Sequence, residues 1–138
     1  MKKIMLVSWL VLLSTCLIGT DQYVWKEKNA KAMELYSQGK YSEAITVAEA
    51  ALILAKKVFG PNHTMLVVSM NNLAGIYRAQ KKDEEAENLY EKAMRIEEKV
   101  VGRVHSNYSR YAFNLASLYF DTGKYKLAEP LFNQALGV

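Results

Sequence analysis

A chain of 138 residues has room for one domain with a proper core and too little for two independent ones. Hydrophobic residues make up 51% of it and charged residues 23%, with only two prolines and seven glycines, which excludes collagen-like, low-complexity and disordered classes. A formal net charge of +4, with few aromatics among the lysines, leaves no nucleic-acid footprint.

The first twenty residues, "MKKIMLVSWLVLLSTCLIGT", differ from the rest. Two lysines precede an apolar run from Ile4 to Leu13 broken only by Ser8, and small residues follow. That is the order of a secretory signal peptide, and the run is short for a segment that must cross about 30 Å of hydrocarbon. An uncut signal anchor is the alternative for residues 1–20. The lone cysteine, Cys16, closes "LSTC", which resembles a bacterial lipoprotein signal. Leu13 and Ser14 match that pattern, and Thr15 departs from its usual Gly, Ala or Ser. Cys16 is therefore a candidate for lipidation, since one cysteine cannot form an internal disulfide. Export to the bacterial cell envelope, in the periplasm or anchored to a membrane, is the expectation. Cleavage before Cys16 would remove Lys2 and Lys3 and leave 16 basic against 14 acidic residues, a net charge of +2.

From residue 22 onward the apolar spacing is helical, as in Leu66, Met70, Leu73, Ala74 and Tyr77, then Ala86, Leu89, Tyr90, Ala93 and Met94. Helices are expected over 22–38, 42–59, 65–80, 83–101, 107–122 and 125–136. Breaks fall at Gly39-Lys40, Lys81-Lys82 and Gly123-Lys124, where a glycine can take the left-handed conformation that ends a helix and Lys81 makes a weaker stop. "GPNHT" and "GRVHS" supply glycine stops followed by Thr64 and Ser106 as N-caps.

Laid over itself at an offset of 42, the chain aligns Ala32, Ala74 and Ala116; Ala44, Ala86 and Ala128; and Ala51, Ala93 and Ala135. Gly60 meets Gly102, and His63 meets His105. A fixed period in this range marks a solenoid, whose units cannot bury their apolar faces alone. Repeats of two helices are expected over about 22–63, 64–105 and 106–138, giving an all-α solenoid of about six antiparallel helices within a domain of residues 22–138. A large residue at Ala86 should cost a few kcal/mol through overpacking.

Met70, Leu73, Ala74, Tyr77, Ala86, Tyr90 and Ala93 meet the tetratricopeptide repeat pattern, and Ala112, Leu115, Ala116, Tyr119, Ala128, Phe132 and Ala135 meet it again. The first copy keeps Ala32, Leu35, Ala44 and Ala51 but carries Lys28, Lys31 and Ala48 at the large positions. The chain thus resembles the tetratricopeptide repeat family. Its 42-residue period and the words "NNLAGIY", "GKYSEA" and "AEPLF" are most similar to the kinesin light chain variety, which also occurs in bacteria. The resemblance specifies a fold and says little about the partner.

It implies that the first helices of successive repeats line a concave groove where an asparagine before the Leu-Ala pair clamps the backbone of a bound peptide. Asn72 and Asn114 fall on that position, and Ala30 replaces it in the first copy. Asn71, Arg78, Arg110 and Phe120 share the expected face, with Met33 and Tyr36 from copy one. A carboxamide both donates to and accepts from a peptide backbone, and the arginines suit carboxylates. The alternative is that Asn72 and Asn114 bond between neighbouring helices.

No phosphate loop, metal-ligand cluster or nucleophile with an orienting base is present, so no enzyme activity, cofactor or metal is expected. The two histidines, 42 residues apart, are expected to satisfy local backbone groups. Leu127, Leu131 and Phe132 are expected to leave the last repeat partly open. The function read from these residues is a non-catalytic adaptor for a protein or peptide. The alternative is a structural subunit that assembles through the open edge, as a homo-oligomer or in a complex.

Overall fold

Three turns of one kind organise the chain. At Gly39 (φ 73°), Lys81 (φ 61°) and Gly123 (φ 77°) the backbone enters the left-handed region. Each time two N–H groups fold back onto the preceding turn. Lys40 donates to the Leu35 carbonyl at 2.9 Å and Gly39 to that of Tyr36 at 3.0 Å, and the pairs Lys82–Tyr77 with Lys81–Arg78 and Lys124–Tyr119 with Gly123–Phe120 repeat the arrangement. These bonds satisfy carbonyls that a helix end otherwise leaves open.

The computed structural model describes the backbone of residues 2–137 and the side chains of Val11, Leu17 and residues 19–137. Its elements are α1 (Lys2–Ser37), α2 (Tyr41–Phe59), α3 (Thr64–Ala79), α4 (Asp83–Val101), α5 (Ser106–Asp121) and α6 (Tyr125–Leu136), with no strand among the described residues. Consecutive helices pack against one another, and α1 also touches α3, so the layout is a series of helical hairpins stacked into a solenoid.

Two local differences from the sequence-based expectation have physical causes. First, α1 starts at Lys2 instead of residue 22. Nothing between the apolar run and the first repeat stops a helix: there is no proline, and Gly19 inside it costs only about 1 kcal/mol. The Thr20 hydroxyl is absorbed by the Leu17 carbonyl at 2.7 Å. From Asp21 onward α1 is tied to the repeats by the Asp21–Lys57 ion pair at 3.3 Å and by Trp25, whose ring meets Phe59 edge-on at 4.9 Å. Second, Thr64 and Ser106 are the first helical residues, and the N-caps are His63 and His105. Each imidazole Nδ1 accepts a backbone N–H two residues on, from Met65 at 3.0 Å and Asn107 at 3.2 Å. Both histidines therefore serve the local backbone, as their matching positions predict. The glycines that precede these caps, Gly60 and Gly102, combine φ near 80° with extended ψ, a region that only glycine enters at low cost.

The repeated alanines mark the close approaches. Ala32, Ala44, Ala51, Ala74, Ala86, Ala93 and Ala116 are fully buried, and Tyr90, Tyr111 and Tyr119 fill the space beside them. One apolar cluster is centred on α3 to α6 and a second on α1 to α3, and Tyr77 and Leu89 pack against both. The core is thus continuous along the solenoid, without a separate centre in each repeat.

Candidate functional site

Helices α1, α3 and α5 present one face to which the sequence assigned Asn71, Asn72, Arg78, Arg110, Asn114 and Phe120. Asparagines run across this face as a ladder. Asn72 Nδ2 donates to Asn29 Oδ1 at 3.2 Å, and one repeat later Asn114 Nδ2 donates to Asn71 Oδ1 at 2.8 Å. Asn29 is buried and doubly held: its Nδ2 donates to the Trp25 carbonyl at 3.0 Å, and its Oδ1 also accepts the Ser69 hydroxyl at 3.3 Å. Ser69 in turn accepts the Trp25 indole N–H at 2.8 Å.

The two asparagines expected to clamp a peptide are therefore also the bonds between neighbouring repeats. Each rung uses one amide N–H, so the carbonyl oxygen and second N–H of Asn72 and Asn114 are left over, in an orientation set by the rung. Asn71, Asn72 and Asn114 line one cavity of about 160 Å³ together with Met33, Tyr36 and Gly75. A Cβ at Gly75 would meet the Tyr90 hydroxyl at 3.6 Å, an ordinary van der Waals contact. Burial pushes that hydroxyl above its ordinary pKa, against the opposing pull of Arg78.

The arginines are placed differently. Arg78 forms an ion pair with Asp121, which bridges α3 to α5. Arg110 donates to the Tyr111 hydroxyl at 3.0 Å and lies 5.0 Å over that ring. Phe120 is exposed and meets Tyr125 edge-on at 5.3 Å. Arg110 and Phe120 are not part of the cavity wall. The side chain of Cys16 lies outside the described residues.

Sequence reasoning missed Asn29 as the first rung. The signal was present, because Asn29 stands 42 residues before Asn71. The neighbouring column, Asn72 and Asn114, has Ala30 in copy one. The pairing of Asp121 with Arg78 depends on the separation of two helices, which no local pattern supplies.

On the opposite side a second set of rungs links the repeats. The Tyr77 hydroxyl donates to Glu49 Oε1, and the Tyr119 hydroxyl to Glu91 Oε1, both at 2.7 Å. Burial, and then the neighbouring Glu49 carboxylate, push the Tyr77 hydroxyl up to about 12, and the same causes raise Tyr119.

The tetratricopeptide repeat sequence profile matches residues 28–99 and again 67–138. The chain belongs to the tetratricopeptide repeat family. No curated protein matches it. Among solved structures it is similar to BtubC (BKLC) from P. vanneervenii, with a TM-score of 0.75 and 23% identity over 80% of this chain and 44% of that one. It is equally similar to nearly identical repeats of a putative kinesin light chain from Podosopora anserina, with 0.75 and 23% over 81% and 53%. The tetratricopeptide domain of Arabidopsis FLU gives 0.74 and 16% over 85% and 95%. The chain spans about half the length of the first two structures. At these identities the likeness shows the fold: a tetratricopeptide solenoid, an architecture that serves protein–protein interaction. Among the described residues no three potential metal ligands gather, and no helix is long and apolar enough to cross a membrane.

Proposed function

We propose that this tetratricopeptide repeat chain is a non-catalytic adaptor that binds a peptide or protein segment along the face of α1, α3 and α5. The supporting observation is the asparagine ladder, which holds two carboxamides beside one cavity with a carbonyl and an N–H each unspent. Orientation by the rungs lowers the entropy cost of binding. Exposed Arg110 offers a charge-assisted contact to a carboxylate, whereas Arg78 has to be won from Asp121. Residues 1–20 direct export, and an uncut α1 or a lipid on Cys16 holds the solenoid at a bacterial envelope membrane. A helix unbroken from Lys2 into the first repeat supports a rigid tether.

The test is a crosslinked pull-down from membranes of the native organism with wild type and an Asn72→Ala, Arg78→Ala, Asn114→Ala variant, its fold checked by circular dichroism. A partner captured by wild type and lost with the folded variant supports the groove. Equal capture refutes it.

One observation favours a structural subunit as a second reading. Phe120, Tyr125, Leu127 and Leu136 are all more than half exposed on the last repeat. A dimer in light scattering that Leu127→Glu dissolves would support assembly through this edge, and a monomer would remove it.

A further inference from the structure

Two clefts on the face of α2, α4 and α6 are copies of one another. The first, about 410 Å³, has Leu52, Leu73 and Leu89 as its floor. The second, about 340 Å³, is floored by Met94, Leu115 and Leu131, each 42 residues further on. One side of each is the Tyr–Glu rung, which pins a carboxylate at the rim. On the rims, Ile53 is 72% exposed and Leu127 51% exposed. The clefts flank α4, and a polar depression carrying Glu84, Glu87, Glu91, Arg95 and Lys124 runs between them.

Together the three depressions hold six carboxylates against three cations, in a chain whose formal net charge is +4. Lys124 pairs with Glu87, Arg95 with Glu91, and Glu98 with Arg103 just outside the clefts, while Glu84 and Glu85 have no ion pair among the described residues. The order across α4 is thus apolar cleft, acidic strip, apolar cleft.

We propose that the two clefts form one docking surface for a cationic amphipathic helix of a protein partner, with two large apolar residues seven positions apart entering the clefts and lysines or arginines between them facing the acidic strip. The spacing follows from helix dimensions. The clefts are separated by the width of α4, about 10 Å, and residues i and i+7 of a helix lie about 10.5 Å apart on one face. Residues i+3 and i+4 fall between them on that same face. This surface is separate from the face of α1, α3 and α5, so it lets one solenoid hold two partners.

The test is fluorescence anisotropy of the full chain in mild detergent with three labelled helical 15-mers: lysine and alanine with two leucines seven apart, the same with glutamates for lysines, and the lysine peptide with its leucines four apart. The first peptide should bind at least tenfold more tightly than either other. Ile53→Lys and Leu127→Lys, both at exposed positions, should each weaken it at least tenfold. Equal binding of the three peptides, or indifference to both lysine variants, would overturn the proposal. So would sedimentation showing that the protein pairs with itself through this face, with Ile53→Lys abolishing the pairing, since the occupant would then be a second copy.

Discussion

Glu97 is fully buried on α4, and neither carboxylate oxygen has a hydrogen-bond partner among the described residues. The nearby Tyr111 hydroxyl is pushed up mainly by its own burial, with Glu97 adding in the same direction. That hydroxyl accepts from Arg110 and makes no bond to the carboxylate. Forty-two residues earlier the same place holds Ala55, which is also fully buried, so the solenoid does not require a polar group there. Glu97→Met keeps the length of the side chain and removes two unsatisfied acceptors. Each such group costs about 1–3 kcal/mol, and with part of that sum offset by the imperfect fit of the thioether the substitution should stabilise the protein by about 2–4 kcal/mol. For 138 residues the entropy of unfolding is about 0.29 kcal/mol/K, so the Tm should rise by about 7–14 °C in differential scanning calorimetry. Glu97→Gln should gain less, because the amide is still unpaired. A Tm that stays level or falls in the methionine variant would refute the reasoning and show that the carboxylate is satisfied, for instance by a buried water.

Other substitutions test the turns and rungs. Lys81 is a side-chain-bearing residue where Gly39 and Gly123 stand in the other copies, so Lys81→Gly should add about 1 kcal/mol of stability in urea denaturation. His63→Ala should lose about 1 kcal/mol, and His63→Asn should restore most of it because a carboxamide oxygen can accept the same Met65 N–H. Tyr77 has a folded-state pKa above its unfolded value of about 10, so its contribution is complete below pH 10 and is lost as pH rises toward 12. The stability of wild type relative to Tyr77→Phe should therefore be constant below pH 10 and fall between pH 10 and 12, measured by urea denaturation at each pH.

Much of the fold was legible because it rests on local patterns. Alanine columns at an offset of 42 and helical apolar spacing located six helices, with every end within one residue except the start of α1. That start was missed because the change from an apolar leader to a repeat is a change of composition, and helix propagation is insensitive to it. The caps were misassigned by one residue because local preference ranks threonine and serine as caps. At the first of them Phe59 stacks on His63 at 5.0 Å and helps hold the imidazole in place.

The candidate site divides along the same line. The sequence put Asn72 and Asn114 at equivalent places 42 residues apart, and the resemblance to the repeat family implied that these two and Asn71 lie on its groove side. Only the tertiary structure decided that the rungs run from Asn72 to Asn29 and from Asn114 to Asn71, and that Arg78 is held by Asp121. The tandem clefts beside α4 likewise arise from the stacking of repeats. A repeat period specifies which residues occupy equivalent places. Which equivalent places touch depends on the spacing and stagger between helices, and those are set by alanines packing against one another across the whole stack.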